Sequence, residues 1–367
     1  MRILHVLASS LGGGSTHVFD LIAHKADGIE QRLVLPSDGG TIAERLRELG
    51  HKVEELDIAQ GWKWKEFFRL MRYIRGYQPD IVHCHGYRAG LYGRLATKLI
   101  SRNIKTVITV HGFHAFYYKS KLKKKLIFSL EKILQKWTDH VIAVSNTDWQ
   151  HLLQCGLISK EKSQVILNGI QPITSSSKEK ARSILNISNS PIIATICRLH
   201  YQKGVVYFIK AIPHVLQQYP NAHFFIIGDG PERKKLEEMG AGLKNLHFLG
   251  NRSNVIDLLP AVDICVSASL WEGLPLNLLE AMRAEVPIVA TDVDGNHDVI
   301  ENEKSGVLVS PKNSEALALG IMRLLQSPIL AKDLVKEAKI RLHTIFSLQE
   351  MVQKTQQAYV DLISLQR

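Results

Sequence analysis

The chain has 367 residues, 45% of them apolar, more than one hydrophobic core accommodates and enough to bury two; such a composition excludes a disordered chain. The formal charge of +11 is lopsided: residues 1–170 carry 25 Lys/Arg against 15 Asp/Glu, net +10, whereas 171–367 carry 21 against 20, net +1. A half this basic is expected to meet an anionic surface such as a phospholipid or a lipid diphosphate, with nucleic acid as the competing reading.

Short β-branched runs separated by longer stretches of helical period recur along the chain, as in βαβ units on parallel sheets. Strands are predicted at 3–8, 31–36, 52–56, 81–85, 106–111, 140–145 and 164–167, and again at 192–197, 223–228, 246–249, 264–267, 288–291 and 306–309. Each series fits one doubly wound sheet, so the fold class is α/β with two Rossmann-like domains. Turn formers and a serine run at 168–177 mark the linker, which sets an N-terminal domain at 1–170 and a C-terminal domain at 171–347. An amphipathic segment at 348–367 is expected to return to the first domain.

Cys84, Cys155, Cys197 and Cys265 stand alone, three of them inside apolar runs, and read as core residues of a reducing compartment. The apolar opening at 1–8 is too short for a signal peptide, and no stretch approaches the roughly 20 apolar residues of a membrane span. A cytoplasmic protein is expected, with at most peripheral attachment to a membrane.

In open α/β sheets ligands bind beyond the carboxyl ends of strands, and the informative motifs fall there. After the first strand, Leu11-Gly12-Gly13-Gly14-Ser15-Thr16 gives a tight turn and a helix start whose free N–H groups suit an anion; a bare structural turn would read the same. His83-Cys84-His85 and Val110-His111-Gly112-Phe113-His114 invite a metal reading, but no cysteine or carboxylate completes a ligand set, so no metal is expected. Hydrogen bonding to a ligand suits His111, and the other histidines read as satisfied core or surface residues. Between Lys119 and Trp137 a helical period places Leu122, Leu126, Leu130, Ile133 and Trp137 on one face with lysines on its flanks. Such a helix either rests on an anionic bilayer or packs that face on the sheet.

In the second half, Arg198 and Lys203 follow a strand and are closed by Gly204, a fork and a mobile point charge able to neutralise a diphosphate. Gly228, in Ile227-Gly228-Asp229-Gly230-Pro231, marks a turn that could border a nucleobase or be purely structural. The most informative stretch runs from Ser269 to Met282. Glu272 precedes a helix and Glu280 lies eight residues on, about 12 Å further at helical rise, so one carboxylate can meet sugar hydroxyls and the other a ribose. The N–H groups of Gly273, Leu274 and Leu276 are then placed to face the linking phosphates. Asp292-Val293-Asp294 resembles a metal-chelating pair but reads equally as a strand-end turn.

Together these motifs resemble the retaining nucleotide-sugar glycosyltransferases of family 4, which have the GT-B fold. The resemblance implies two Rossmann-like domains facing a cleft, with the donor held mainly by the C-terminal one and the acceptor by the N-terminal one. It implies that Arg198 and Lys203 bind the donor diphosphate, that Glu280 binds the ribose, and that Glu272 with the following backbone holds the sugar. By the same likeness His111 contacts the transferred sugar, Gly13 and Gly14 approach the diphosphate or the acceptor, and Arg252 lies along the base. No cofactor or metal is implied, the nucleotide-sugar being a substrate, with UDP as the expected carrier. A glycan or lipid-linked intermediate of cell-surface polysaccharide synthesis is the expected acceptor, and no nucleic acid is expected as a partner. The chain departs from the family in carrying Asp294-Gly295-Asn296-His297-Asp298 where relatives commonly have Gly-Gly-x-Pro-Glu, and Glu285 where they often have Gly. The alternatives are a GT-B nucleotide-sugar 2-epimerase and a non-catalytic basic binder of membrane or nucleic acid.

Overall fold

Seven strands of the N-terminal half form one sheet: β1 (Arg2–Leu7), β2 (Glu30–Leu35), β3 (Val53–Glu55), β4 (Ile81–His85), β5 (Lys105–Val110), β6 (His140–Ala143) and β7 (Ser163–Val165). Their order is β3-β2-β1-β4-β5-β6-β7 and every pair is parallel. Six more, β8 (Ile192–Ile196), β9 (His223–Ile227), β10 (Leu246–Gly250), β11 (Ile264–Ser267), β12 (Ile288–Thr291) and β13 (Val307–Val309), form a second parallel sheet in the order β10-β9-β8-β11-β12-β13. This computed structural model describes residues 1–38, 40–118, 120–171 and 177–364. The middle of the predicted linker, 172–176, lies outside the described residues, as do Lys119 and 365–367.

The chain divides into two units, Met1–Asn168 with Leu348–Arg367, and Gly169–Ser347. The sequence places the corresponding boundary at 170/171. In the second unit, the N–H of Ile170 donates to the carbonyl of Phe346 at 3.0 Å, pairing the segments by which the chain enters and leaves.

The central strands β1, β4, β8, β11 and β12 are buried along nearly their whole length, as expected of strands covered on both faces. In the first sheet Leu4, Val6, Val82, Cys84 and Ile108 point to one side, and Ile3, Ile81, Val107 and Ile142 to the other. The second side is covered partly by the helix Leu348–Ser364, through Leu348, Met351, Val352 and Tyr359. Burying each of these side chains is worth roughly 1.5–3 kcal/mol, so the C-terminal segment is an integral part of the first unit. In the second unit one core cluster gathers Ile193, Phe208, Phe224, Val266, Val289 and Leu317.

Each sheet has a point where strand order reverses, between β1 and β4 in the first and between β8 and β11 in the second. Loops diverge there and leave a crevice at the carboxyl ends of the strands. Glu285 sits at φ +56 immediately after the helix Leu276–Arg283, where its N–H donates to Met282 and that of Val286 to Ala281. This is the left-handed stop that glycine adopts without strain, which accounts for the glycine that the family resemblance leads one to expect here.

Candidate functional site

In the second unit the reversal point brings together the loops that carry Arg198, Lys203, Glu272 and Glu280. From β8 the chain passes through Arg198 and a short 3-10 turn, Tyr201–Lys203, into the helix Val205–Gln218; from β11 it passes through Ser269 and Glu272 into the helix Leu276–Arg283. The two loops are tied together: Leu270 N–H donates to the Gln202 backbone carbonyl at 2.7 Å, and the Gln202 side-chain amide donates to the Trp271 carbonyl at 2.9 Å. Lys203 Nζ lies 2.5 Å from Glu272 Oε1, which also accepts from the Ser269 hydroxyl at 2.6 Å. Glu272 is only 6% exposed, so without these donors its charge would be costly to hold. Arg198, by contrast, is exposed, and its side chain makes no hydrogen bond or ion pair among the described residues. One cation is thus tethered and the other is free to meet an anion.

Asn277 donates to the Ile196 carbonyl at 3.0 Å and fastens the helix start to the end of β8. Three residues on, Glu280 is part-buried, its carboxylate without a hydrogen bond among the described residues. Burial pushes its carboxyl above the ordinary range and Arg283 pulls it partly back. A desolvated carboxylate without a protein donor is suited to a ligand hydroxyl. Gly228 (φ +131) is demanded by packing, because a Cβ there would overlap the carbonyl oxygen of Cys197. Gly295 is demanded likewise, since a Cβ would overlap the Gly273 carbonyl. Although its sequence departs from the family, the 294–298 segment is therefore pressed against the loop that carries Glu272. Asn296 supports it by donating to the Thr291 carbonyl at 2.7 Å, and Thr291 in turn donates to the Ser269 carbonyl at 2.5 Å. Arg252 is exposed beyond β10 without a partner among the described residues.

In the first unit the helix Gly13–Ala23 starts immediately beyond β1, and Gly14 lies against the His111 ring, which follows β5. His111 belongs to a cluster of five. Its Nε2 is 3.3 Å from His85 Nδ1; His85 Nε2 is 3.0 Å from His5 Nδ1, and His5 Nε2 is 2.7 Å from Gln31 Oε1. His83 is held by the Tyr359 hydroxyl at 2.6 Å and the Thr109 hydroxyl at 2.7 Å. His17, on the first helix, meets the His111 ring edge-on with centroids 4.8 Å apart. Burial lowers all five: His5 and His111 to about 4, and His17, His83 and His85 well below the ordinary value, so the cluster is neutral at pH 7.

The structure therefore places Arg198, Lys203, Gly273, Leu274, Leu276, Glu272 and Glu280 at the reversal point of one sheet, and Gly13, Gly14 and His111 at that of the other. Gly228 follows the neighbouring strand β9. Sequence reasoning missed Ser269 and Asn296, whose short polar side chains look like turn formers, and it missed His5, His17 and Gln31. The alternation His83-x-His85 within a strand was a usable signal, because it puts both rings on one face.

The basic helix, Lys121–Gln135, is started by Ser120, whose hydroxyl accepts from Lys123 N–H at 3.2 Å. Its predicted apolar face is turned outward: Leu122, Leu126 and Ile133 are 80%, 68% and 52% exposed. Packing of that face on the sheet is thereby excluded. The inward side is instead Ile127, Phe128, Leu134 and Glu131, which pairs at 2.9 Å with the fully buried Arg94. No helix among the described residues is long and apolar enough to cross a membrane.

Two doubly wound parallel sheets, one in each unit, are the architecture of the GT-B class. Residues 11–172 match the family described as Glycosyltransferase Family 4 and residues 177–341 the family described as Glycosyl transferases group 1. The chain belongs to family 4 of the glycosyltransferases. It is 28% identical over 312 residues to the UDP-Gal:alpha-D-GlcNAc-diphosphoundecaprenol alpha-1,3-galactosyltransferase of Escherichia coli, covering 82% of this chain and 80% of the relative. It is 28% identical over 325 residues to the N,N'-diacetylbacillosaminyl-diphospho-undecaprenol alpha-1,3-N-acetylgalactosaminyltransferase of Campylobacter jejuni, covering 83% and 84%. Anabaena HepE in complex with UDP and glucose superimposes with a TM-score of 0.87 at 22% identity, over 98% of this chain and 100% of that one, and shares its GT-B fold.

Proposed function

We propose that the protein moves a hexosyl or N-acetylhexosaminyl unit from a UDP-sugar to a lipid-linked glycan intermediate of cell-surface polysaccharide synthesis, with retention and without a metal in the transfer step. Both the Escherichia coli and Campylobacter jejuni relatives are named for acceptors on diphosphoundecaprenol, and HepE carries UDP and glucose. The observation that carries the reading is Lys203 tethered to Glu272, with the Arg198 side chain free and the Glu280 carboxylate, on the helix Leu276–Arg283, without a hydrogen bond among the described residues.

In this reading the bond from the anomeric carbon to the diphosphate oxygen breaks, and the acceptor oxygen bonds to that carbon from the same face. The acceptor proton passes to a departing phosphate oxygen. Arg198 and Lys203 neutralise the charge that develops on the diphosphate, aided by N–H groups at the start of the Leu276–Arg283 helix. Glu272, already bonded to Lys203 and Ser269, positions sugar hydroxyls and is not the base. Glu280 takes the ribose, Arg252 the base, and His111 the transferred sugar. The exposed apolar and lysine-rich helix would hold the enzyme peripherally at the cytoplasmic leaflet, where lipid-linked acceptors lie.

Alanine at Arg198 tests this most cleanly, since that side chain has nothing to lose in the free protein. Turnover should fall about 10²-fold or more with the melting temperature unchanged. Alanine at Lys203 should lower turnover similarly and also cost stability, because Glu272 loses its ion partner. Wild-type turnover in either variant contradicts the diphosphate assignment.

A further inference from the structure

Among the five clustered histidines one ring is anomalous. Among the described residues neither nitrogen of His17 has a hydrogen-bond partner of ordinary geometry, although the ring is buried; the Asn168 side chain lies beside it. A buried polar group left in this way is costly and calls for a missing partner. His17, His85 and His111 each offer a nitrogen within 4.8 Å of the other two. The His85 Nδ1 to His111 Nε2 separation of 3.3 Å equals the edge of a tetrahedron around an ion with metal–nitrogen distances of about 2.0–2.1 Å.

The surrounding bonds also prepare these nitrogens as ligands. With the Gln31 oxygen accepting from His5 Nε2–H, His5 Nδ1 must accept from His85 Nε2–H, which leaves a lone pair on His85 Nδ1 directed toward His111. Such a relay from the far nitrogen of a ligating imidazole is the usual support of a metal-bound histidine. The neighbouring trio His5, His83 and His85 is also within ligand distance, but Gln31, Tyr359 and Thr109 occupy its nitrogens. His111 is only half-buried, which gives an ion access to the first trio.

We propose that His17, His85 and His111 form a site in the first unit for a divalent transition ion of the Zn²⁺ class, with three imidazoles and one position open to an exogenous oxygen. Neutral imidazoles select Zn²⁺, Co²⁺, Ni²⁺ or Cu²⁺ over Mg²⁺ and Ca²⁺, which require oxygen ligands. If His111 contacts the transferred sugar, which rests on the function proposed above, ion and donor sugar compete for one imidazole. Zn²⁺ is then an inhibitor of transfer and not a participant in it.

The test uses the tag-free, metal-stripped full chain without any nucleotide. Zn²⁺ is titrated against a chromophoric chelator, and Co²⁺ substitution reports the geometry through its visible absorption. One ion per chain with a tetrahedral-type Co²⁺ spectrum is expected. His17→Ala and His111→Ala should each weaken binding at least about 10-fold, while His247→Ala, in the other unit, leaves it unchanged. Where an alanine variant melts early, His17→Gln keeps most of the volume and is expected to show the same loss. No uptake by the wild type, or uptake indifferent to His17 and His111, overturns the site. Because no substrate is present, that outcome leaves the transferase reading standing, and loss of transferase activity alone says nothing about the ion.

Discussion

Glu280 pairs a burden on the free protein with a gain in the complex. Its carboxyl, pushed up by burial, has no donor among the described residues, whereas a ribose would supply two hydroxyls. A raised folded pKa means the native state holds the proton more tightly than the unfolded chain, so the contribution to stability is full in acid and is lost as pH rises through that folded value. Glu280→Gln should therefore stabilise the nucleotide-free protein at pH 7 by about 1 kcal/mol, roughly 2–4 °C in melting temperature. The gain should vanish as pH falls below the ordinary carboxylate range. UDP binding should weaken about 10-fold, through loss of a charge-assisted hydrogen bond. Calorimetric melts at two pH values, with and without UDP, check both signs; a destabilised, normally binding variant would remove Glu280 from the ribose. The type and spacing of this residue were legible from the run of apolar neighbours around it. The ion pair of Lys203 with Glu272, 69 positions apart, was not, because nothing local records which loops the sheet brings together.

At the scale of elements the central parallel strands were readable because burial on both faces makes them short apolar runs, and the structure moves the predicted strand ends by at most two residues. What periodicity left open was which way an amphipathic helix turns. In Lys121–Gln135 the sequence stripe Leu122, Leu126, Ile133 faces outward, and the inward registration is fixed by Glu131 reaching the buried Arg94. That pair could not be anticipated, since a lone glutamate on a lysine-rich helix reads as a solvated partner of its neighbours. If the exposed face meets an anionic bilayer, reversing charge at Lys121, Lys123 and Lys125 should abolish flotation with vesicles containing phosphatidylglycerol and leave transfer to a water-soluble acceptor unchanged. Undiminished flotation would assign the exposed leucines another role.

On the scale of the whole molecule, the charge asymmetry and the division of chemistry run in parallel. The half with net +10 carries the histidine cluster and the outward basic helix; the nearly neutral half carries the tethered Lys203, the free Arg198 and the paired glutamates. This is the distribution expected when one unit works near anionic lipid and the other handles a soluble nucleotide. The most direct measurement is transfer of labelled sugar from a panel of UDP-hexoses and UDP-N-acetylhexosamines to a saccharide on polyprenyl diphosphate, in EDTA, with the product anomer determined by NMR. The account predicts stoichiometric UDP release with one of these donors and a product that keeps the donor's anomeric configuration. Inverted product, or no transfer from any UDP-sugar by protein that is folded and lipid-bound, would contradict it.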